Sequence, residues 1–188
     1  MVLTYSEDKL KFGDQAPEFE LVEPLTGKKR NLNELKGEKG AVVVFMCNHC
    51  PYVVHILNKL LEVARQYIPE GIAFVGISAN DPEKYPEDSP EAMAQLASKL
   101  DFPFPYLFDE TQEVAKEYGA LCTPEFFVFD KDLKLVYHGR FDESSPGRDA
   151  PVTGSDLKCV LDALLGKGTL PHPEEWKPAM GCNIKWRD

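Results

Sequence analysis

Cys47 and Cys50 stand three positions apart in Cys47-Asn48-His49-Cys50-Pro51, directly after the apolar run 41–46. Thiols at this spacing can be joined by a disulfide with little backbone movement. Either one, as thiolate, is also a nucleophile and a metal ligand. Three chemistries are open: a redox dithiol, a metal clamp, or inert thiols packed in a junction. A tetrahedral metal site needs four ligands. Cys47, Cys50, His49 or His55 and the distant Cys182 could be combined, but no second C-x-x-C or His pair supplies the other half. The redox reading is therefore favoured, with no metal and no other cofactor expected.

The elements around the pair must place it. Residues 41–46 form a continuous apolar run of the kind found in strands covered on both faces. From Pro51, apolar side chains at Val53, Leu57, Leu60, Leu61, Ala64 and Tyr67 recur every three or four residues until Pro69 and Gly71, which predicts a helix. The pair thus falls where a strand hands over to a helix. A sulfur facing the free N–H groups of a helix start is stabilised as thiolate. This expectation assigns the reactive thiol to Cys47, ahead of the helix, and a more buried place to Cys50 within its first turn. His49 could add a positive charge or a hydrogen bond.

Further along, residues 71–80 read as a second buried strand, Ser89-Pro90 opens a helix, and "PYLFDE" is a short strand. Thr111 and Gly119 bound another helix, "EFFVFDKDLKLVYHGRF" reads as a hairpin, and "SDLKCVLDALL" is a last helix capped by Ser155. Residues 1–38 read as an extension containing a β-hairpin that turns at Gly27, and residues 169–188 as a Pro-rich tail. Strands alternating with helices predict an α/β fold with one central mixed sheet flanked by helices, in a single domain over residues 1–188.

C-x-x-C between a buried strand and a helix, followed by "LCTPEFFVFD", resembles the thioredoxin fold. The segments "GDQAPEFEL" and "GRDAPVTGSDLKCVLDALLGKG", with the terminal "GCNIKW", resemble more narrowly the bacterial peroxiredoxin-like redoxins of the alkyl hydroperoxide reductase and thiol-specific antioxidant superfamily. The resemblance implies that Pro124 is a cis-proline facing the cysteines, and that Thr123 and Pro124 shape a groove in which an extended peptide pairs with free backbone groups. It implies a thiol-disulfide oxidoreductase in which Cys47 attacks a disulfide and Cys50 resolves it. C-N-H-C also resembles the C-x-H-C of oxidising or isomerising enzymes of that fold. The alternative it implies is a thiol peroxidase. Cys50-Pro51 keeps the Cys-Pro of the peroxidase pattern T-x-x-C-P, but Cys47 stands at the Thr position, and Arg148 lies roughly where such peroxidases carry an activating arginine. Thioredoxins also carry a carboxylate on the strand before the cysteines, and "AVVVFM" has none.

Five cysteines leave at least one thiol unpaired. Cys122, beside Thr123 and Pro124, is either a third thiol of the site or a small core residue. Cys159 reads as core or half-buried. Cys182 is either a resolving thiol or part of a tail anchored through Ile184 and Trp186. His55, His138 and His172 read as ordinary surface or satisfied histidines, and "DPEKYPEDSPE" as a solvated loop.

With 31 acidic against 21 basic residues, net −10, the chain is a poor partner for nucleic acid or an anionic membrane. The start lacks the succession of a signal peptide and no run reaches membrane-spanning length, so a cytoplasmic protein is expected. The expected partner is a protein or small-molecule disulfide, with the electron donor left open. A metal- or partner-binding module is the reading from a different class.

Overall fold

The computed structural model describes residues 2–187. The order of elements is β1 (Leu3–Tyr5), β2 (Glu20–Glu23), β3 (Lys28–Asn31), α1 (Leu32–Leu35), β4 (Gly40–Phe45), α2 (Pro51–Tyr67), β5 (Ile72–Ser78), α3 (Pro90–Lys99), β6 (Tyr106–Phe108), α4 (Glu113–Tyr118), β7 (Cys122–Thr123), β8 (Glu125–Asp130), β9 (Leu135–Gly139), α5 (Ser155–Leu164) and β10 (Met180–Asn183). Seven strands form one mixed sheet in the order β3-β2-β6-β5-β4-β8-β9. The run 41–46 takes its place at the centre: β4 is buried throughout, parallel to β5 and antiparallel to β8.

One apolar layer lies on each face of this sheet, as the alternation of side chains along β4 requires. Val42 and Val44 join the cluster that holds α2 and α5, whereas Ala41, Val43 and Phe45 join the cluster on the other face with α4 and α1. Helix α2 turns Val53, Ile56, Leu57, Leu60, Leu61, Val63, Ala64 and Tyr67 inward. Burial of each large aliphatic side chain among these contributes roughly 1.5–3 kcal/mol, which fixes the helix start against the end of β4. Ser89 caps α3 by accepting Ala92 N–H.

Three segments differ from expectation. The β2–β3 hairpin continues the main sheet, because Val22 pairs with Phe108. β1 does not belong to that hairpin; it pairs with β10 of the tail, and β10 pairs with β7, in a second sheet β1-β10-β7. The tail is therefore built into the fold. Cys159 is exposed, because α5 turns Leu157, Val160 and Leu161 to the core. No helix among the described residues is long and apolar enough to cross a membrane.

Candidate active site

Because β4 and β5 are parallel, the loops that follow them emerge at one edge of the sheet. The first carries Cys47–Cys50 and the second carries Asp81–Ser89. Asp88 of the second loop is fully buried. Its Oδ1 accepts the backbone N–H groups of Asn48 and His49 at 2.7 and 3.1 Å, and its Oδ2 faces His49 Nδ1 at 2.5 Å and accepts Asn80 Nδ2 at 2.8 Å. The His49 ring stacks on Tyr85, with centroids 5.1 Å apart. One carboxylate thus holds the cysteine loop in shape, and the acidic run containing it is not simply a solvated loop. A run of charges reads the same in sequence whether it faces water or a set of unpaired N–H groups. The usable signal was its place after a buried strand next to β4.

The helix begins at Pro51 as expected, but Cys50 caps it instead of lying within its first turn. Pro51 is the first helical residue and Cys50 is the N-cap, its carbonyl accepting Val54 N–H at 3.0 Å. The favourable field of the helix start therefore acts on Cys50. Both cysteines are buried, Cys47 at 1% and Cys50 at 0% exposure. Thr123 lies against both cysteines and is joined to Pro124 by a cis peptide bond. Thr123 Oγ1 is 3.5 Å from Cys47 Sγ, and Cys50 Sγ is 3.2 Å from the Thr123 carbonyl oxygen.

Cys182 completes the cluster. Its Sγ is 2.9 Å from Cys50 Sγ. Strand β10 sets Cys182 opposite Thr123 and Asn183 opposite Cys122. The backbone edge beside the cis-proline, expected to be free for an extended peptide, is occupied by the chain's own tail. Gly181 makes the approach possible, since a Cβ there would lie 1.9 Å from the Thr123 carbonyl oxygen.

The contacts of this cluster lower the pKa of Cys50 from 9.0 to about 5. The Cys47 S–H bond to it is the largest cause, with further bonds from Cys182, Thr123 and Val53 N–H, against the cost of burial. Cys47 moves the other way, well above 9.0, because it serves Cys50 as donor, is buried and faces the Asp88 charge. Burial and the bond to Cys50 push Cys182 up to about 12. These directions favour Cys50 over Cys47, the residue expected from the sequence, as the thiolate. A central sulfur with donors on several sides keeps the charge at the expense of its neighbours.

Cys122 takes no part in this. It is buried with its S–H toward Glu125 at 3.5 Å, and burial pushes its pKa strongly upward. Glu125, paired with Phe45 across β4 and β8, was missed in sequence. It accepts N–H from Leu121 and Cys122 at 2.8 and 3.0 Å and bonds His138 Nε2 at 2.7 Å. The carboxylate missing from β4 is thus present on the adjoining strand. His138 reaches Asp8 through Nδ1 at 2.9 Å, a buried and satisfied histidine. Arg148 lines a cleft of about 190 Å³ with Tyr52, His55, Pro124 and Arg140, and neither sulfur is part of its walls.

Among the described residues, Cys47, His49 and Asp88 could face one cation, their ligand atoms lying within 4.8 Å of one another. Both Asp88 oxygens, however, already accept hydrogen bonds. A metal would have to displace the bonds that shape the loop.

Residues 12–138, which contain the cysteine pair, Thr123 and Pro124, match the AhpC/TSA family. The chain belongs to this family. Relatives of this AhpC/TSA chain fall on both sides of the family's chemistry. It is 29% identical over 133 residues to thiol-disulfide oxidoreductase ResA of Bacillus thuringiensis subsp. konkukian, covering 69% of the chain and 70% of that protein. It is 28% identical over 142 residues to chloroplastic peroxiredoxin Q of Sedum lineare, covering 71% and 72%. Over its full length it is similar to the crystal structure of an uncharacterized conserved protein from Geobacillus kaustophilus, with TM-score 0.95, 48% identity and coverage of 100% and 97%. At 20% identity, the thiol:disulfide interchange protein DsbE of Chlorobium tepidum shares the fold, with TM-score 0.67 over 84% of this chain and all of that one. The architecture is that of thioredoxin-fold proteins, and the family is one of oxidoreductases.

Proposed function

We propose that the chain is a thiol-disulfide oxidoreductase whose working pair is Cys50 and Cys47, with Cys50 as the attacking thiolate. The observation that carries the reading is Cys50 at the N-cap of α2, receiving S–H donors from its neighbours. The similarity to the Bacillus oxidoreductase supports disulfide exchange as the chemistry.

The Cys50 thiolate attacks one sulfur of a substrate disulfide, forming a mixed disulfide and releasing the other half as thiolate. That leaving thiolate takes the Cys47 proton. Cys47 then attacks the Cys50 sulfur, the Cys47–Cys50 bond forms, and the second half departs as thiolate. The substrate is reduced by two electrons and the protein is oxidised by two. Thr123 Oγ1 holds Cys47 in place. The substrate is a protein or small-molecule disulfide. A protein substrate must displace β10 to use the edge beside Pro124.

The test is trapping. In a Cys182→Ser background, Cys47→Ser should accumulate a mixed disulfide on Cys50, and Cys50→Ser should be inert. Trapping on Cys47 in Cys50→Ser would return the attack to Cys47.

One observation favours peroxide reduction as a second reading: Cys50-Pro51 is the Cys-Pro of the peroxidase pattern, and Cys50 carries the depressed pKa. Against it stands Cys47 in the place of the Thr. Disulfide exchange should exceed peroxide reduction widely, and a peroxidase kcat/KM within roughly 10⁴–10⁸ M⁻¹s⁻¹ would reverse that order.

A further inference from the structure

We infer that Cys182 is a third redox thiol, presented to Cys50 by β10 as an internal counterpart of the substrate, and that the disulfide moves between Cys47–Cys50 and Cys50–Cys182. This rests on the reading of Cys50 as the reactive thiol and extends it to the tail.

The first observation is contact. Cys182 Sγ lies 2.9 Å from Cys50 Sγ, across 132 residues of chain. The second is register. β10 pairs with β7, so Cys182 stands opposite Thr123, the residue that also touches Cys47 and Cys50. An extended strand paired beside Pro124 and offering a sulfur to the active thiol is the arrangement a bound substrate disulfide would require. The third is the means of holding it. Gly181 leaves the Thr123 carbonyl uncrowded, β1 pairs with the far edge of β10, and Lys185 N–H donates to Asn80 Oδ1, whose amide donates to Asp88. The tail is thereby registered against the same carboxylate that shapes the cysteine loop.

A role as anchor alone does not account for the sulfur's position. Ile184 is buried in the opposite core layer and the β10 ladder ties the tail without it.

The step balances without an added oxidant. Once exchange has produced Cys47–Cys50, the Cys182 sulfur attacks Cys50 Sγ. The Cys50–Cys182 bond forms as Cys47–Cys50 breaks, and the Cys182 proton passes to Cys47. The protein stays oxidised by two electrons, Cys47 is returned as a thiol, and the oxidising equivalent now sits on β10.

The experiment maps disulfides in the full-length chain. Wild type, Cys182→Ser and Cys47→Ser are reduced, oxidised with one equivalent of diamide, acid-quenched, alkylated and analysed by peptide mass. Cys47→Ser should lose two thiols with Cys50 bridged to Cys182, wild type should contain both bridges, and Cys182→Ser only Cys47–Cys50. If Cys182→Ser forms Cys47–Cys50 but neither wild type nor Cys47→Ser forms Cys50–Cys182, or if Cys50 pairs instead with Cys122, the inference is overturned and the dithiol reading stands. If Cys182→Ser forms no Cys47–Cys50 bridge, the dithiol reading fails on its own account. The wild-type map alone decides the matter should Cys47→Ser not fold: at least about a tenth of Cys50 should be found bridged to Cys182.

Discussion

Asp88 Oδ2 lies 2.5 Å from His49 Nδ1, while Oδ1 of the same carboxylate accepts His49 N–H at 3.1 Å. Backbone and side chain of one residue are thus gripped together from a loop 39 positions away. His49 is the middle of the cysteine loop, so this grip sets where Cys47 and Cys50 point.

Removing Asp88 should therefore be costly. Asp88→Ala strands the N–H groups of Asn48 and His49 and the Asn80 amide, and should destabilise the reduced protein by about 3–5 kcal/mol. Asp88→Asn keeps an acceptor for the backbone groups and should cost only about 1–2 kcal/mol. Urea unfolding measures both. Equal costs for the two variants would mean that the carboxylate does not hold the loop.

Thiol reactivity should follow Cys50. In a Cys159→Ser background, which removes the exposed thiol, limiting iodoacetamide should label Cys50 before Cys47. The rate should change little between pH 6 and 8, because a pKa of about 5 leaves Cys50 ionised throughout. A rate rising tenfold per pH unit over that range would place the reaction on a thiol of ordinary or raised pKa.

Stability should depend on pH through the same group. Cys50 has a folded pKa of about 5 against an ordinary 9.0, so between these values the unfolded chain holds a proton that the fold has released. Stability from Cys50 is fully present above pH 9 and is lost as pH falls through about 5, with a slope of up to about 1.4 kcal/mol per pH unit. Cys47 and Cys182 are shifted upward. Their contribution is fully present below pH 9 and is lost as pH rises through their folded values. The difference between reduced wild type and Cys50→Ser should therefore grow from pH 5 to pH 8, and a flat difference in urea midpoints would refute the assignment of charge.

Gly181→Ala tests the seating of the tail. The new Cβ would meet the Thr123 carbonyl at 1.9 Å, so β10 must shift, at a cost of roughly 1–3 kcal/mol. Cys182 should then become accessible to a bulky maleimide that leaves it unlabelled in wild type. Continued protection would show that the strand can absorb the methyl group.

Much of the scaffold was legible in the residues alone. The apolar run before Cys47, the helical period after Pro51, Ser89 as a cap and Pro124 ahead of a strand are all local patterns, and short-range sterics and burial act on them wherever the chain goes. The cysteine spacing belongs to the same class: residues three apart are neighbours in any fold.

Tertiary structure decided which sulfur its neighbours favour as thiolate, what shapes the loop and what covers it. Asp88 looks like any acidic residue in a polar run until parallel pairing of β4 and β5 brings its loop beside the cysteines. Cys182 is an isolated thiol near the end of the chain until the register of β10 on β7 sets it against Cys50. The pKa of Cys50 is lowered chiefly by its bond with Cys47, a residue of the same loop, and further by Cys182, which only β10 brings there. Helical and strand periods encode which face of an element is buried. They carry no record of which distant element will be packed there, and a thiol's ionisation depends on those neighbours.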